Sequence, residues 1–241
     1  QAEQVQILET MPDKLNVFLA PGPFSRVFRF GCNDEYMSDK RVRLAIMYTV
    51  DAKAINDALF PGLYKECTSA TLEGVFGYVN LGVHKPDLEK ARELLAEAGY
   101  PDGFKTKIVT TTRYAKGVEL AEAIAEQLKQ VNIEAEVVVK EWAAIQEEWT
   151  GQTAETFDQP IFIMGAGCDT LDADTAFNRL YTTSPDGTNT GTNYGFYSNA
   201  EVDELVAAAA VSVDEEFRLE CYHRVCEILW LEDPAQIYIY D

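Results

Sequence analysis

No apolar run in this 241-residue chain reaches the roughly 20 residues that a membrane-crossing helix needs. Histidine is scarce: His84 and His223 are the only two, and neither sits in a catalytic pattern. The chain also lacks an H-E-x-x-H pair, a G-x-S-x-G elbow and a phosphate-cradling G-x-x-x-x-G-K-[ST] loop. General acid–base catalysis relies most often on histidine, so a hydrolase is disfavoured. Basic residues are few, 20 Lys and Arg against 40 Asp and Glu, for a formal charge of −20. Nucleic acid requires a basic surface, which argues against that partner; anionic membrane surfaces are disfavoured likewise. No charged-then-apolar leader opens the sequence, so an export signal is expected to be absent from it.

Cysteine is present but not in pairs that suggest chemistry. Cys32, Cys67, Cys168, Cys221 and Cys226 form an odd set without a C-x-x-C, and an odd set leaves at least one thiol outside any intrachain disulfide. Cys221 and Cys226 flank His223, yet the two lie about 140° apart on a helix of 3.6 residues per turn. That spacing suits buried apolar cysteine better than zinc. No metal site and no cofactor are expected.

What the chain does contain is alternation of strand and helix patterns. Leu15 to Ala20 and Val27 to Phe30 read as strands around the turn Pro21-Gly22-Pro23. A helix from Ser38-Asp39 places Val42, Ala45, Ile46 and Val50 on one face, and a second runs from Asp51 to Pro61-Gly62. Residues 63 to 85 show no period and read as a loop. Asp87 caps a helix with Leu88, Ala91, Leu94, Leu95 and Ala98 inward, ended by Gly99. Ile108 to Thr112, Ile133 to Val139, Ile161 to Met164 and Gln236 to Tyr240 read as further strands. Helices are expected at Val118 to Leu128 and from about Asn199 and Asp214, and a loop at 182 to 195. The pattern predicts an α/β fold, a sheet flanked by helices, as a single domain over residues 1–241.

Several of these segments carry a resemblance. Asp39-Lys-Arg-Val-Arg-Leu-Ala-Ile-Met-Tyr-Thr-Val-Asp51 resembles the D-x-R-V-R-x-A-I-x-Y-A-x-D signature of the family 5 bacterial extracellular solute-binding proteins. These are the receptors of ABC importers for dipeptides, oligopeptides and nickel complexes. Phe60-Pro-Gly62 follows where that family has its glycine turn. Asp87 to Phe104 is similar to its D-P-E-K-A-x-x-L-L-x-E-A-G-Y-x-x-G-F block. Ala121 to Lys129 with Ile133, Tyr197 to Leu205 and Glu232 to Tyr240 match later family blocks in order, across nearly the whole chain.

The resemblance implies one lobe of a type II periplasmic-binding-protein-like fold with a mixed sheet. Family members are about twice as long, so the first lobe, the export signal and any lipid-anchoring cysteine are expected to be missing here. The implied role is capture of a peptide in an interlobe cleft outside the cytoplasm and delivery to a permease, by a monomer. Membrane association would come only through the missing anchor. A nickel chelate, an oligosaccharide or another small solute is the alternative ligand, and a sensory lobe of a regulator the alternative role.

The resemblance also points to residues. Gly165-Ala-Gly-Cys-Asp-Thr-Leu-Asp-Ala-Asp174 follows the Ile161 strand, at the carboxyl end where open α/β sheets bind ligands. Family peptide receptors carry G-W-x-x-D there, and the aspartate holds the ligand's ammonium group. Asp169 occupies that position, and Cys168 before it is a further ligand-binding candidate; a helix cap is the other reading of Asp169, and Asp172 is the favoured cap. Ala166 stands where the family's peptide receptors often carry tryptophan, which implies a wider pocket or one suited to another ligand. Trp142, in an E-W pair with Glu141, is read as either a flat wall or a core residue. Arg113, with Tyr114 beside it, is a candidate carboxylate clamp or a surface arginine; counting from the Ala121 block, the family arginine falls nearer Thr111. Asn33, Arg41 and Arg43 are expected to be structural.

Overall fold

The computed structural model describes residue 22 and residues 24–185, 187–188 and 192–241. The expected strand at Leu15 to Ala20 lies outside the described residues. Five strands form one mixed sheet: β1 (Phe24–Phe30), β2 (Phe104–Thr110), β3 (Ile133–Val139), β4 (Ile161–Gly167) and β5 (Gln236–Tyr240), in the order β3-β2-β4-β1-β5. β2 runs parallel to β3 and β4, while β1 is antiparallel to β4 and β5. The carboxyl ends of β2, β3, β4 and β5 and the amino end of β1 therefore share one edge.

The helices are α1 (Lys40–Thr49), α2 (Ala52–Leu59), α3 (Leu88–Glu97), α4 (Gly117–Leu128), α5 (Trp142–Trp149), α6 (Ala173–Tyr181), α7 (Ala200–Ala210) and α8 (Glu215–Glu227). Asp39, Asp51, Asp87, Asn199 and Asp214 each accept a backbone N–H as N-caps, each worth about 1 kcal/mol. Gly99 leaves α3 at φ +96°, a conformation that costs glycine little. Gly103, at φ +76°, lies so close to the Asn132 carbonyl that an added Cβ would stand 2.0 Å from its oxygen. Those two glycines explain why Ala-Gly-Tyr-Pro-Asp-Gly-Phe reads as it does between α3 and β2.

Alternation along the strands divides the apolar residues between two faces. Ile108, Ile161 and Ile163 join Phe28, Phe30, Ile46, Leu95, Leu120, Ile124 and Leu229 in the larger core. Val109 and Phe162 turn the other way, onto Ile145, Trp149 and Phe157. Cys221 and Cys226 are buried in the larger core, and all five cysteines are free thiols.

The differences from the expected elements have physical reasons. β2 starts at Phe104 because its polar first half pairs with the edge strand β3, Lys105 beside Glu134. β4 runs on through Gly165-Ala-Gly167, a stretch whose composition suggests a turn, because β1 pairs with it as far as Phe24 opposite Gly167.

Candidate functional site

Three loops and the start of β1 meet at the carboxyl edge of the sheet. The loop after β2 brings Arg113 and Tyr114, the start of α5 after β3 brings Trp142, and the loop after β4 brings Asp169. Phe24, Val139 and Leu171, all exposed large apolar side chains, occupy the same edge.

Trp142 opens α5 directly after the N-cap Glu141 and is half-buried, with Ala143 and Ala144 exposed beside it. Its ring meets Tyr114 edge-on at 5.5 Å and Trp149 edge-on at 5.4 Å. The Arg113 guanidinium lies 4.8 Å from the Trp142 ring centre. Tyr114 carries a second cation: Arg26, on β1, lies 3.8 Å from its ring centre. Cation–π pairs of this kind contribute about 0.5–2 kcal/mol. Trp142 is thus neither free in solvent nor a plain core residue. It is the middle of an aromatic shelf, with one guanidinium on its own ring and another on Tyr114.

Arg26 was not singled out from the sequence. It stands opposite Gly165 on β4, and a Cβ at Gly165 would approach its Nη1 to 3.4 Å. The missing side chain on β4 lets the guanidinium lie against Tyr114, which comes from the far side of that strand. Only the pairing of positions 139 residues apart puts these groups together, so no local signal in Phe24 to Phe30 could have revealed it.

Asp169 is exposed, and its nearest charged partner is Arg179, at 3.7 Å. It does not cap α6. That role falls to Asp172, whose carboxylate accepts the Asp174 N–H and pairs with Arg218 at 2.7 Å. The bond to Asp172, with a second to Tyr222, holds the Arg218 guanidinium well above its ordinary range. With Asp172 so committed, the Asp169 carboxylate is left facing outward. Leu171, at φ +57°, is the turn residue that separates the two.

Two expected site residues are not presented to this edge. Ala166 is buried, paired with Ser25, and faces a cavity of about 10 Å³ lined also by Thr71, Leu72 and Tyr181. That is room for about one water, so the alanine opens no wide pocket within this chain. Cys168 is buried, and its thiol points back to the Asp172 carbonyl at 2.9 Å. Thr111, the alternative to Arg113, is buried as well. Asn33 ties the end of β1 to the loop before β4 by donating to the Ala154 and Phe157 carbonyls, both at 2.8 Å.

An open concavity of about 880 Å³ lies at the opposite end of the sheet, between Asp102, Lys105, Lys129, Asn132 and Glu134. Its charges are exposed and partly answer one another, as Lys105 and Glu134 do at 3.0 Å. It is an open groove along the edge strand, without convergent buried groups. Among the described residues no group of three or more His, Cys, Asp or Glu could hold a metal ion, and no helix is long and apolar enough to cross a membrane.

A family model for bacterial extracellular solute-binding proteins, family 5 (middle), matches residues 1–188. The chain belongs to that family. Among curated proteins, this family 5 chain is similar to the glutathione-binding protein GsiB of Escherichia coli (strain K12), 27% identical over 232 residues, covering 96% of this chain and 45% of that protein. Among solved structures it is similar to HbpA2 from Haemophilus parasuis, with a TM-score of 0.85, 26% identity and coverage of 99% and 46%. It is also similar to the periplasmic binding protein DppA from Helicobacter pylori in complex with the peptide STSA, with a TM-score of 0.87, 24% identity and coverage of 99% and 45%. The family 5 chain thus spans a little under half the length of the proteins it matches, and its fold is that of the periplasmic binding proteins.

Proposed function

We propose that this chain is one lobe of the solute receptor of an ABC importer and that it binds peptide-like solutes at the carboxyl edge of its sheet. In this reading a second lobe, outside this chain, closes over the same edge and completes the cleft. The receptor works outside the cytoplasm as a monomer and hands its solute to permease subunits without altering it.

The observation that carries the reading is the convergence at that edge. An outward-facing carboxylate, Asp169, an aromatic shelf flanked by guanidinium groups, and the exposed Phe24, Val139 and Leu171 are gathered there. An ammonium group suits Asp169, because a charge-assisted hydrogen bond strengthens once a closing lobe excludes water. Trp142 and Tyr114 offer flat apolar surface to a peptide backbone or side chain. The name of GsiB, a glutathione-binding protein, agrees with a peptide-like ligand.

Calorimetry on the intact receptor with peptides of varied length tests this. Peptides are expected to bind, and Asp169→Ala to weaken binding by about 2 kcal/mol or more, the scale of a buried charged hydrogen bond lost. Unchanged affinity in the variant, or silence of every peptide, overturns the reading.

A further inference from the structure

Trp142 and Trp149 stand two helical turns apart, so their indoles lie on one face of α5. Their surroundings differ. Trp142 is half-buried at the carboxyl edge, whereas Trp149 is 3% exposed, stacked on Tyr194 at 4.6 Å and packed on Phe162 at 5.5 Å. Among the partners of the Trp142 ring, Arg113 is exposed and Tyr114, from the same loop, is half-buried. Trp149 is the partner fixed in the core, and the two indoles meet edge-on at 5.4 Å.

An indole N–H is a donor only, and a buried donor needs an acceptor. For Trp149 that acceptor is Gln159 Oε1, at 3.1 Å, two residues before β4. Gln159 is itself 4% exposed, and its Nε2 donates to Glu148 at 2.9 Å. Glu148 in turn accepts from Lys140 Nζ on both oxygens, at 2.8 Å. One amide thus answers a donor and a carboxylate at once, which an apolar or an ionised acidic side chain cannot do.

The place of Gln159 is set from elsewhere in the fold. Gly31, at the end of β1, donates its N–H to the Pro160 carbonyl at 2.9 Å, and Asn33 holds the Phe157 carbonyl. Helix α5, by contrast, has two turns and no side-chain cap at Glu141, and so short a helix is marginal on its own. Lys140 precedes α5 and Glu148 lies in its last turn, so their ion pair spans the helix. Gln159 joins that pair and Trp149 to the sheet.

We propose that Gln159 is a positioning residue of the binding edge: through Trp149 and the Lys140–Glu148 pair it sets the height and tilt of the Trp142 ring on which a solute lies. That a solute lies there rests on the peptide-like reading above; that Gln159 sets the ring rests on the hydrogen bonds and ring contacts alone.

The test uses the intact receptor with isotope-labelled tryptophan, whose indole N–H signals report each ring, and tetra-alanine as the peptide. Trp149→Phe and Trp142→Ala identify the two signals by their loss. Gln159→Leu is expected to move both signals and to weaken tetra-alanine binding about tenfold, within the range of coupling between contacting side chains. In a Trp142→Ala background it should leave affinity unchanged, because the ring through which it acts is gone. The reversed pair, Glu148→Gln with Gln159→Glu, again offers the indole an acceptor and that acceptor a donor, and should restore both readouts. Where Gln159→Leu does not fold, Gln159→Glu alone, which sets a second carboxylate against Glu148, takes its place. A Trp142 signal that stays put while that of Trp149 moves makes Gln159 a packing element and overturns the proposal. Unchanged affinity, or an equal loss with and without Trp142, overturns it as well. Silence of tetra-alanine on the parent receptor, with the Trp142 signal moved by Gln159→Leu, counts against the peptide-like reading and leaves the positioning of the ring standing.

Discussion

Trp142 presents one of the few large apolar surfaces at the carboxyl edge that is held in place from several sides. Tyr114 and Trp149 fix its ring edge-on, and Arg113 covers part of its face. Because it is only half-buried, Trp142→Ala should leave folding nearly intact and weaken peptide binding about tenfold, as removal of an aromatic anchor does. Calorimetry beside a melting curve separates the two effects; a large loss of stability without a loss of affinity would make the residue a packing element. His84 gives a pH-dependent prediction. Its ring packs near Tyr48 and Trp230, its Nδ1 is buried without a partner, and burial lowers its pKa from 6.5. The unfolded chain therefore takes up the proton first as pH falls. The stability tied to neutral His84 is complete above about pH 6.5 and is lost as pH drops below it. Denaturant titrations from pH 7.5 to 5 should show a shallower decline in His84→Gln than in the parent; identical slopes would contradict the burial argument.

At the scale of elements, the Arg-Val-Arg signature is explained by the end of the chain. Arg41 pairs with Asp39 at 2.6 Å and caps the Glu97 carbonyl at 2.7 Å, fixing α1 against α3. Arg43 is buried, donates to the Met37, Ser38 and Pro234 carbonyls, and pairs with Asp233, whose other oxygen accepts from Asn199 at 2.8 Å. One guanidinium thus joins the start of α1 to the turn before β5 and the cap of α7. Arg43→Ala should cost about 3–5 kcal/mol, because it leaves Asp233 shielded and unpaired; a loss below about 1 kcal/mol in urea unfolding would contradict that. The helices behind Asp39, Asp51, Asp87, Asn199 and Asp214 were legible in the sequence, since each of these caps precedes an apolar stripe. α5, as short as α2, has no side-chain cap to mark its start, and α6 was marked only by its cap Asp172. Site legibility divided along similar lines. Asp169, Trp142, Arg113 and Tyr114 lie just past strand ends, where the chain order itself announces an edge. Arg26 lies inside a strand, and its placement depends on Gly165 across the sheet. Ala166 and Cys168 sit in the right segment but on the inward side of it, which strand alternation decides and a motif does not.

For the whole molecule, the two ends of the sheet differ in what they present to a solute. The amino ends of β2 and β3 hold a concavity of about 880 Å³, but its charged walls are exposed. The carboxyl edge holds the outward carboxylate, the cation–aromatic shelf and the exposed apolar side chains, a surface that a second lobe could cover. The net charge of −20 favours solubility and says little about ligand sign. Amide hydrogen exchange on the intact receptor, with and without a binding peptide, tests the assignment most directly. Ligand should slow exchange at residues 111–114, 140–142 and 165–171 and leave the segments 102–106 and 129–136 unchanged. Protection confined to 102–106 and 129–136 would place the solute at the other end and contradict the account.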